Sequence, residues 1–145
     1  MADITVTAGD VRPLPGFFSR RFDAGGTIYV GQSVYVAADG DVEQSDSDAG
    51  SLQAQSIGIM VANVDNYGGT VAVPGDHVDV VMFGPVVGYS SMTPGALVFA
   101  STSAGGLVQG TPDAGSHVVP VGIAIDASTL FVNPMRPTPY VVKAS

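Results

Sequence analysis

Cysteine and tryptophan are absent from this chain of 145 residues, and leucine occurs only 5 times against 23 valines. Without cysteine the protein has no disulfide and no thiolate metal site. Strong helix formers are scarce, whereas β-branched residues suit the pleated surface of a sheet. The composition therefore excludes an all-helical protein and predicts an all-β fold.

Basic residues are also few, and none lies between residues 22 and 133. That middle region holds eleven of the thirteen acidic residues, and the formal net charge of the chain is −8. Binding of phosphates requires clustered lysine and arginine, so we expect no nucleic-acid partner. No apolar run approaches the roughly 18 residues of a membrane span, and no signal sequence is recognisable, so we expect no membrane association.

Glycine and proline, with 19 and 10 residues, separate short apolar segments. Such punctuation is typical of short strands joined by tight turns. One short helix is expected at most, at residues 48–56. We predict about nine short, mostly antiparallel strands in a small β barrel or sandwich, at residues 27–30, 33–38, 56–62, 69–73, 77–89, 96–100, 106–109, 117–125 and 129–133.

Proline and aromatic residues accompany the basic residues at both ends of the chain. We therefore divide the chain into an extended N-terminal arm at 1–24, a β-rich body at 25–133 and a proline-rich C-terminal tail at 134–145. Proline lacks an amide donor, so both ends are expected to be extended and to avoid the middle of a sheet. Frayed termini are one interpretation. We favour arms that bind a partner, because exposed aromatic and basic side chains are typical interface anchors. The candidate contact residues are Leu14, Phe17, Phe18, Arg20, Arg21, Phe22, Arg136 and Tyr140.

A weak internal duplication lies within the predicted body. When Gly31 is aligned with Gly95, the segment 31–37 falls on 95–101, and Gly58 falls on Gly122. Each copy contains a turn glycine, a strand with a central aromatic residue, a loop, and a strand that begins near a glycine. We interpret the two copies as one supersecondary unit used twice around a shared core, with chance similarity between glycine- and valine-rich strands as the alternative.

Few residues in the chain could support catalysis. It has one glutamate and two histidines. His77 is flanked by Asp76 and Asp79, but strand alternation places only Asp79 on its face, so no nucleophile, base and orienting acid are expected to meet. We predict no catalytic residue and no enzymatic activity.

Metal and cofactor sites are not expected either. The acidic loop 39–48 lacks the ligand spacing of a calcium loop, which favours a solvated loop over a weakly bound hydrated cation. The glycine pairs 25–26 and 68–69 lack the residues that complete a phosphate-binding loop. The sequence predicts no metal and no cofactor.

Several short motifs in the body resemble a known family. These are Gly75-Asp76 before a strand that contains Gly84-Pro85-Val86, Met92-Thr93-Pro94-Gly95 before a strand with an aromatic residue, Gly106-Leu107-Val108, and Val121-Gly122-Ile123-Ala124 before the last strand. In this pattern, which covers about residues 25–133, the chain resembles the capsid decoration proteins of tailed bacteriophages, also called head-stabilising or cement proteins, and among them the lambdoid head-decoration proteins.

The resemblance implies a small β-tulip fold and a structural role. Proteins of that family are non-enzymatic, commonly homotrimeric, and stabilise the expanded capsid shell by clamping neighbouring subunits of the major capsid protein. They are made in the host cytoplasm and lie on the outer surface of the virion head. A head-fibre base or a module that binds host glycans is the alternative function, and a small hydrolase is a third.

Overall fold

The computed structural model describes residues 3–110 and 115–134, and the chain is all-β in these ranges. About 45% of the described residues are in strands and 2% are helical, the latter being a single 3-10 turn at Ala8–Asp10. The first seven strands are β1 (Thr5–Val6), β2 (Arg12–Pro13), β3 (Phe18–Asp23), β4 (Ile28–Tyr29), β5 (Ser33–Val36), β6 (Val42–Gln44) and β7 (Gly58–Asn63). The other seven are β8 (Val71–Ala72), β9 (His77–Val87), β10 (Tyr89–Ser90), β11 (Leu97–Ala100), β12 (Leu107–Gln109), β13 (Pro120–Ala124) and β14 (Thr129–Val132).

Ten of these strands form one curled, antiparallel half-barrel sheet. Eight of them follow the order β12-β11-β13-β14-β9-β7-β5-β6, and β2 and β3 are added along β9. Two further pairs, β1 with β10 and β4 with β8, lie outside this sheet. The prediction of an all-β barrel or sandwich with antiparallel strands is confirmed, but the described ranges contain more and shorter strands than the nine expected.

The strand order repeats the internal duplication seen in the sequence. The first copy consists of β5, β6, β7 and the N-terminal half of β9, and the second consists of β11, β12, β13 and β14. In each copy the first strand lies between the other two, and a fourth strand follows. The registers also correspond: Val34 pairs with Gly58, and Val98 pairs with Gly122. The duplication is therefore a repeated supersecondary unit and not a chance similarity of composition.

Further pairs extend this correspondence. The pairs in the first copy are Tyr35 with Glu43, Val36 with Val42, and Ile59 with Val81, and their counterparts in the second are Phe99 with Val108, Ala100 with Leu107, and Ile123 with Phe131.

Two equivalent glycines allow the third strand of each copy to approach the fourth. A Cβ added at Gly58 would lie 2.0 Å from the Val81 carbonyl oxygen, and one added at Gly122 would lie 2.0 Å from the Phe131 oxygen. Both contacts are with backbone, which cannot move aside without breaking strand pairing. Only glycine therefore fits at either position.

The N-terminal segment is not a separate arm. Between residues 12 and 23, β2 and β3 run antiparallel along one edge of β9, while β7 and β14 share its other edge. Residues 12–23, which the sequence analysis assigned to an extended arm at 1–24, are therefore part of the sheet. Pairing is favoured because an eleven-residue central strand would otherwise expose one full edge of backbone donors and acceptors. Pro13 is tolerated because β2 pairs only with β9 and is an edge strand.

Both copies contribute side chains to one apolar core. Its fully buried side chains include Ile28, Val34, Ile59 and Met60 from the first part of the chain and Val98, Val121 and Leu130 from the second. The helix predicted at residues 48–56 is wrong: residues 47–49 and 51–54 form turns, with Ala54 buried. Short polar side chains in this stretch favour local turns over continued helix.

Candidate functional site

The first candidate interaction surface is the N-terminal edge, which we define as residues 17–22 on the open side of β3. Within the described part of the chain, β3 pairs only with β9, so its other edge is free. An open edge strand can accept backbone hydrogen bonds from another extended segment. The geometry suits pairing with a protein partner.

Aromatic side chains lie beside this edge. Phe18 is 60% exposed and sits opposite Phe83 in the strand register, and Phe17 is 43% exposed. The Phe83 ring, itself 46% exposed, meets the Phe131 ring edge to face at 5.0 Å between centroids. Large exposed aromatic side chains in contact with one another are typical of interaction surfaces.

The two arginines of the edge have different surroundings. Arg21 Nε donates to Asp79 Oδ1 across the strand pair at 3.1 Å, and this hydrogen bond raises the pKa of Arg21. Arg20 stacks over the Phe22 ring, with its guanidinium carbon 5.4 Å from the centroid. Arg20 forms no ion pair with any residue that the structure describes. Its charge is therefore available for an external carboxylate.

Of the eight residues expected to contact a partner, the six that the structure describes are not all exposed. Phe17, Phe18, Arg20 and Arg21 lie together and are exposed on the N-terminal edge. Leu14 is half-buried, and its amide donates to the Pro85 oxygen at 2.9 Å, while Phe22 packs partly against the core. Arg136 and Tyr140 lie outside the described residues.

Sequence reasoning missed a second surface, the outer row, which we define as Leu97, Ile123, Phe131 and Pro85. These residues lie directly opposite one another on four neighbouring strands, so their side chains share one face of the sheet. Leu97 is 45% and Ile123 is 38% exposed. The sequence did contain an indication of this surface, because neither β13 nor β14 carries a charged residue on either face.

A groove of about 160 Å³ lies along part of the outer row. No charged side chain lines it, and one of its lining residues, Asn133, directly follows β14. The groove residues are Leu97, Pro120, Gly122, Ile123, Phe131 and Asn133.

The end of β3 is held by a histidine between two carboxylates. His77 Nδ1 lies 3.0 Å from Asp65 Oδ2, and its Nε2 lies 3.3 Å from Asp23 Oδ1. The hydrogen bond to Asp65 is the main cause that raises the pKa of His77, and hydrogen bonds from His77 lower the pKa of Asp65. No described hydroxyl is bonded to this histidine, so the group ties β3 to β9 and the 64–70 loop.

A cavity of about 300 Å³ near the N-terminus contains polar groups that are hydrogen-bonded to other parts of the chain. The Tyr89 hydroxyl donates to the Gly31 oxygen at 2.8 Å, and its burial raises the pKa of that hydroxyl. Gln32 Oε1 accepts from the Tyr29 amide and from Gln44. These hydrogen bonds fix the loops that line the cavity.

The residues that the structure describes contain neither a metal-ligand cluster nor a membrane-spanning helix. Over residues 3–110 and 115–134, no three histidine, aspartate or glutamate side chains converge as metal ligands. In the same ranges no helix has the length and apolar character needed to cross a membrane.

Comparison with known proteins does not assign the chain to a family. No protein-family model matches the sequence, and no curated protein matches it.

Proposed function

We propose that this protein is a structural virion component that decorates and stabilises the expanded capsid shell of a tailed bacteriophage. It would bind neighbouring subunits of the major capsid protein from the outer surface of the head, and would do so as a homotrimer without any enzymatic activity. Binding only the expanded shell stabilises that state by mass action.

The observation that carries this proposal is the N-terminal edge. It combines an open strand, two exposed phenylalanines and an arginine without a described ion-pair partner, on a body whose other charges are almost all acidic. Apolar anchors beside a free cation fit a protein surface that offers an extended segment and carboxylates. The acidic remainder of the surface disfavours association away from this edge.

The site also favours a structural over a catalytic role. His77, whose pKa is raised, is engaged by Asp65 and Asp23, and the Tyr89 hydroxyl and the Gln32 side-chain oxygen at the N-terminal cavity are hydrogen-bonded within the protein. A rigid sheet with an exposed edge needs no such chemistry to clamp a shell.

Point variants test the proposal better than removal of the N-terminal segment, because β3 pairs with β9 along six residues. We expect the double variant Phe18→Ser with Arg20→Glu to fold and to cosediment with expanded phage heads at least about tenfold more weakly, which corresponds to 1.4 kcal/mol of binding free energy. The matched control is Leu52→Ser with Gln55→Glu, which changes an exposed loop of the same body.

Equal binding by the edge variant and the wild type would overturn the N-terminal edge as the contact surface. Failure of the wild-type protein to bind any expanded head, together with selective binding in a glycan array, would favour the alternative of a head-fibre base or host-glycan module. Light scattering on the free protein tests the homotrimer separately.

A further inference from the structure

The outer row differs from its equivalent in the first copy. By register, Ser33, Ile59 and Val81 of the first copy correspond to Leu97, Ile123 and Phe131 of the second. All three first-copy residues are fully buried. The same position in the same supersecondary unit is therefore covered in one copy and open in the other.

The cover of the first copy comes in part from the second. The Ser33 amide donates to the Gly105 oxygen at 3.0 Å, and the Gly105 amide donates to the Ser45 oxygen at 2.7 Å. The turn between β11 and β12 thus lies against the start of β5. No described segment covers the outer row in the same way.

The described part of the chain ends beside this groove, and its C-terminal residues follow from there. It leaves β14 at Val132 and continues through Asn133, whose side chain lines the groove beside Phe131 and Ile123. Residues 135–145, which lie outside the described ranges, follow directly. They contain Met135, Tyr140, Val141 and Val142, and their only charged side chains, Arg136 and Lys143, are basic.

We propose that this C-terminal segment binds in the groove of its own chain and covers the outer row. The apolar side chains fit a groove without charged lining, and the two cations fit a body that is strongly acidic. The proposal does not rest on the capsid function, and it gives Tyr140 an intramolecular contact in place of the shell contact expected from the sequence.

The distances permit this contact. Neighbouring strands are about 4.8 Å apart, so β11 lies roughly 10 Å from β14 across β13. An extended chain advances about 3.3 Å per residue, so the residues from Asn133 to Tyr140 can span roughly 20 Å. The segment therefore reaches Leu97 at the far end of the row with length to spare.

Thiol cross-linking of the full chain tests the proposal, because the natural sequence has no cysteine. The test variant carries Leu97→Cys and Thr138→Cys, and the control carries Tyr67→Cys and Thr138→Cys, where Tyr67 is 70% exposed on another loop. After treatment with a short bismaleimide, we expect an intrachain adduct in the test variant at a yield at least about fivefold above the control, because docking raises the local thiol concentration.

A third variant separates docking from mere proximity. Ile123→Glu in the test background places a charge in the middle of the row, at a position that is 38% exposed. We expect it to reduce the intrachain yield to the control value while the protein stays folded. Equal yields in test and control variants, or cross-links formed only between chains, would overturn the proposal; the latter would identify a second copy as the occupant.

A dye measurement on a full-length variant provides an independent check. Tyr140→Asp should release the outer row and increase the fluorescence of an anilinonaphthalene sulfonate probe severalfold over wild type. The matched control, Tyr67→Asp, should leave the fluorescence near the wild-type value. An unchanged signal for Tyr140→Asp would contradict the proposed contact.

Discussion

The two copies of the duplicated unit share a strand register but differ in what covers them. In the first copy, Ile59 at the centre of the row is fully buried, whereas its counterpart Ile123 in the second copy is 38% exposed. Serine at position 33 is replaced by leucine at position 97, although a solvent-facing position would favour the opposite exchange. Backbone pairing was therefore retained while the outer faces acquired different surroundings.

The comparison shows that register and surface chemistry are separable in a duplicated sheet. Register depends on the inward-facing valines and on the glycines at positions 58 and 122, which are equivalent in both copies. The outer face depends on which segment lies over it, and that segment differs between the copies. The predictions below test this separation, from the largest expected effect to the smallest.

The largest effect is expected from substituting the two equivalent glycines, Gly58 and Gly122, on which the shared register depends. Gly58→Ala and Gly122→Ala should each lower the free energy of unfolding by about 3 to 5 kcal/mol, because the new methyl group would meet a carbonyl oxygen of the next strand. Gly58→Ala should cost more, since Gly58 also has a φ of 154°. Urea unfolding followed by circular dichroism measures both.

Gly40→Ala is the matched control for backbone conformation. Gly40 has a φ of 91° with no atom within 4 Å of an added Cβ, so its substitution should cost only about 1 to 2 kcal/mol. A loss at Gly122 no larger than at Gly40 would contradict the close approach of β13 to β14.

The difference in cover is tested by truncating the equivalent isoleucines. Ile59→Ala should lower the free energy of unfolding by about 2 to 5 kcal/mol, because it leaves a cavity in a fully buried site. Ile123→Ala should cost under about 1.5 kcal/mol if the outer row is open. Ile123→Ala would lower the free energy of unfolding by more than this if the C-terminal segment covers the row. In that case the additional loss should shrink when Tyr140→Asp is also present.

A series of hydrogen-bonded serine hydroxyls lies at the buried row of the first copy, which contains Ser33, Ile59 and Val81. Ser45 donates to the Ser33 oxygen at 2.7 Å, and Ser33 donates to Ser56 at 2.6 Å, all in the buried interior. Ser33→Ala should lower the free energy of unfolding by about 1 to 2 kcal/mol, because the Ser45 hydroxyl loses its buried acceptor. Ser103→Ala, in an exposed loop, is the comparison variant. Thermal unfolding that does not separate the two would contradict the importance of this chain of hydrogen bonds.

The smallest effect concerns the histidine that ties β3 to the first copy. The pKa of His77 is raised above its ordinary 6.5 in the folded protein, chiefly by the hydrogen bond to Asp65. The protonated histidine therefore contributes stability that is fully present below about pH 6.5 and is lost as the pH rises through the folded-state pKa. Both partners are exposed, so we expect a small decrease in melting temperature across that window.

His77→Gln should remove most of this pH dependence, and His117→Gln serves as the control. A melting temperature for the wild type that rises between pH 6 and pH 8, relative to His77→Gln, would contradict the sign derived from the raised pKa.

Sequence patterns predicted the strand-rich body well because turns and strands are local. Segments such as 33–38 and 96–100 alternate or run apolar between glycine and proline signals, and each contains a strand of the sheet. The stretch 48–56 failed as a helix because Asp48 and the two serines can hydrogen-bond to nearby backbone, which stabilises turns as readily as a helix. Residue type alone pointed to Arg20, Phe17 and Phe18 as candidate contacts, and the structure shows that all three are exposed.

The outer row could not be derived in the same way. Its four residues come from positions 85, 97, 123 and 131 and meet only through strand pairing. The N-terminal segment was expected to project from the body, because proline disfavours the interior of a sheet. Pairing as edge strands tolerates the missing amide donors of the prolines and also supplies hydrogen-bond partners to the backbone of β9.

The amino-acid sequence by itself determined the all-β class, the positions of the turns, the repeated unit and the segregation of charge, since each depends on residues close together in the chain. Tertiary structure alone decided that residues 12–23 pair with β9, that Arg21 is neutralised by Asp79 while Arg20 is not, and that one face of the second copy is open. Those outcomes depend on contacts between residues that are far apart in the chain. Such contacts form only in the complete folded sheet, so no local sequence pattern reveals them.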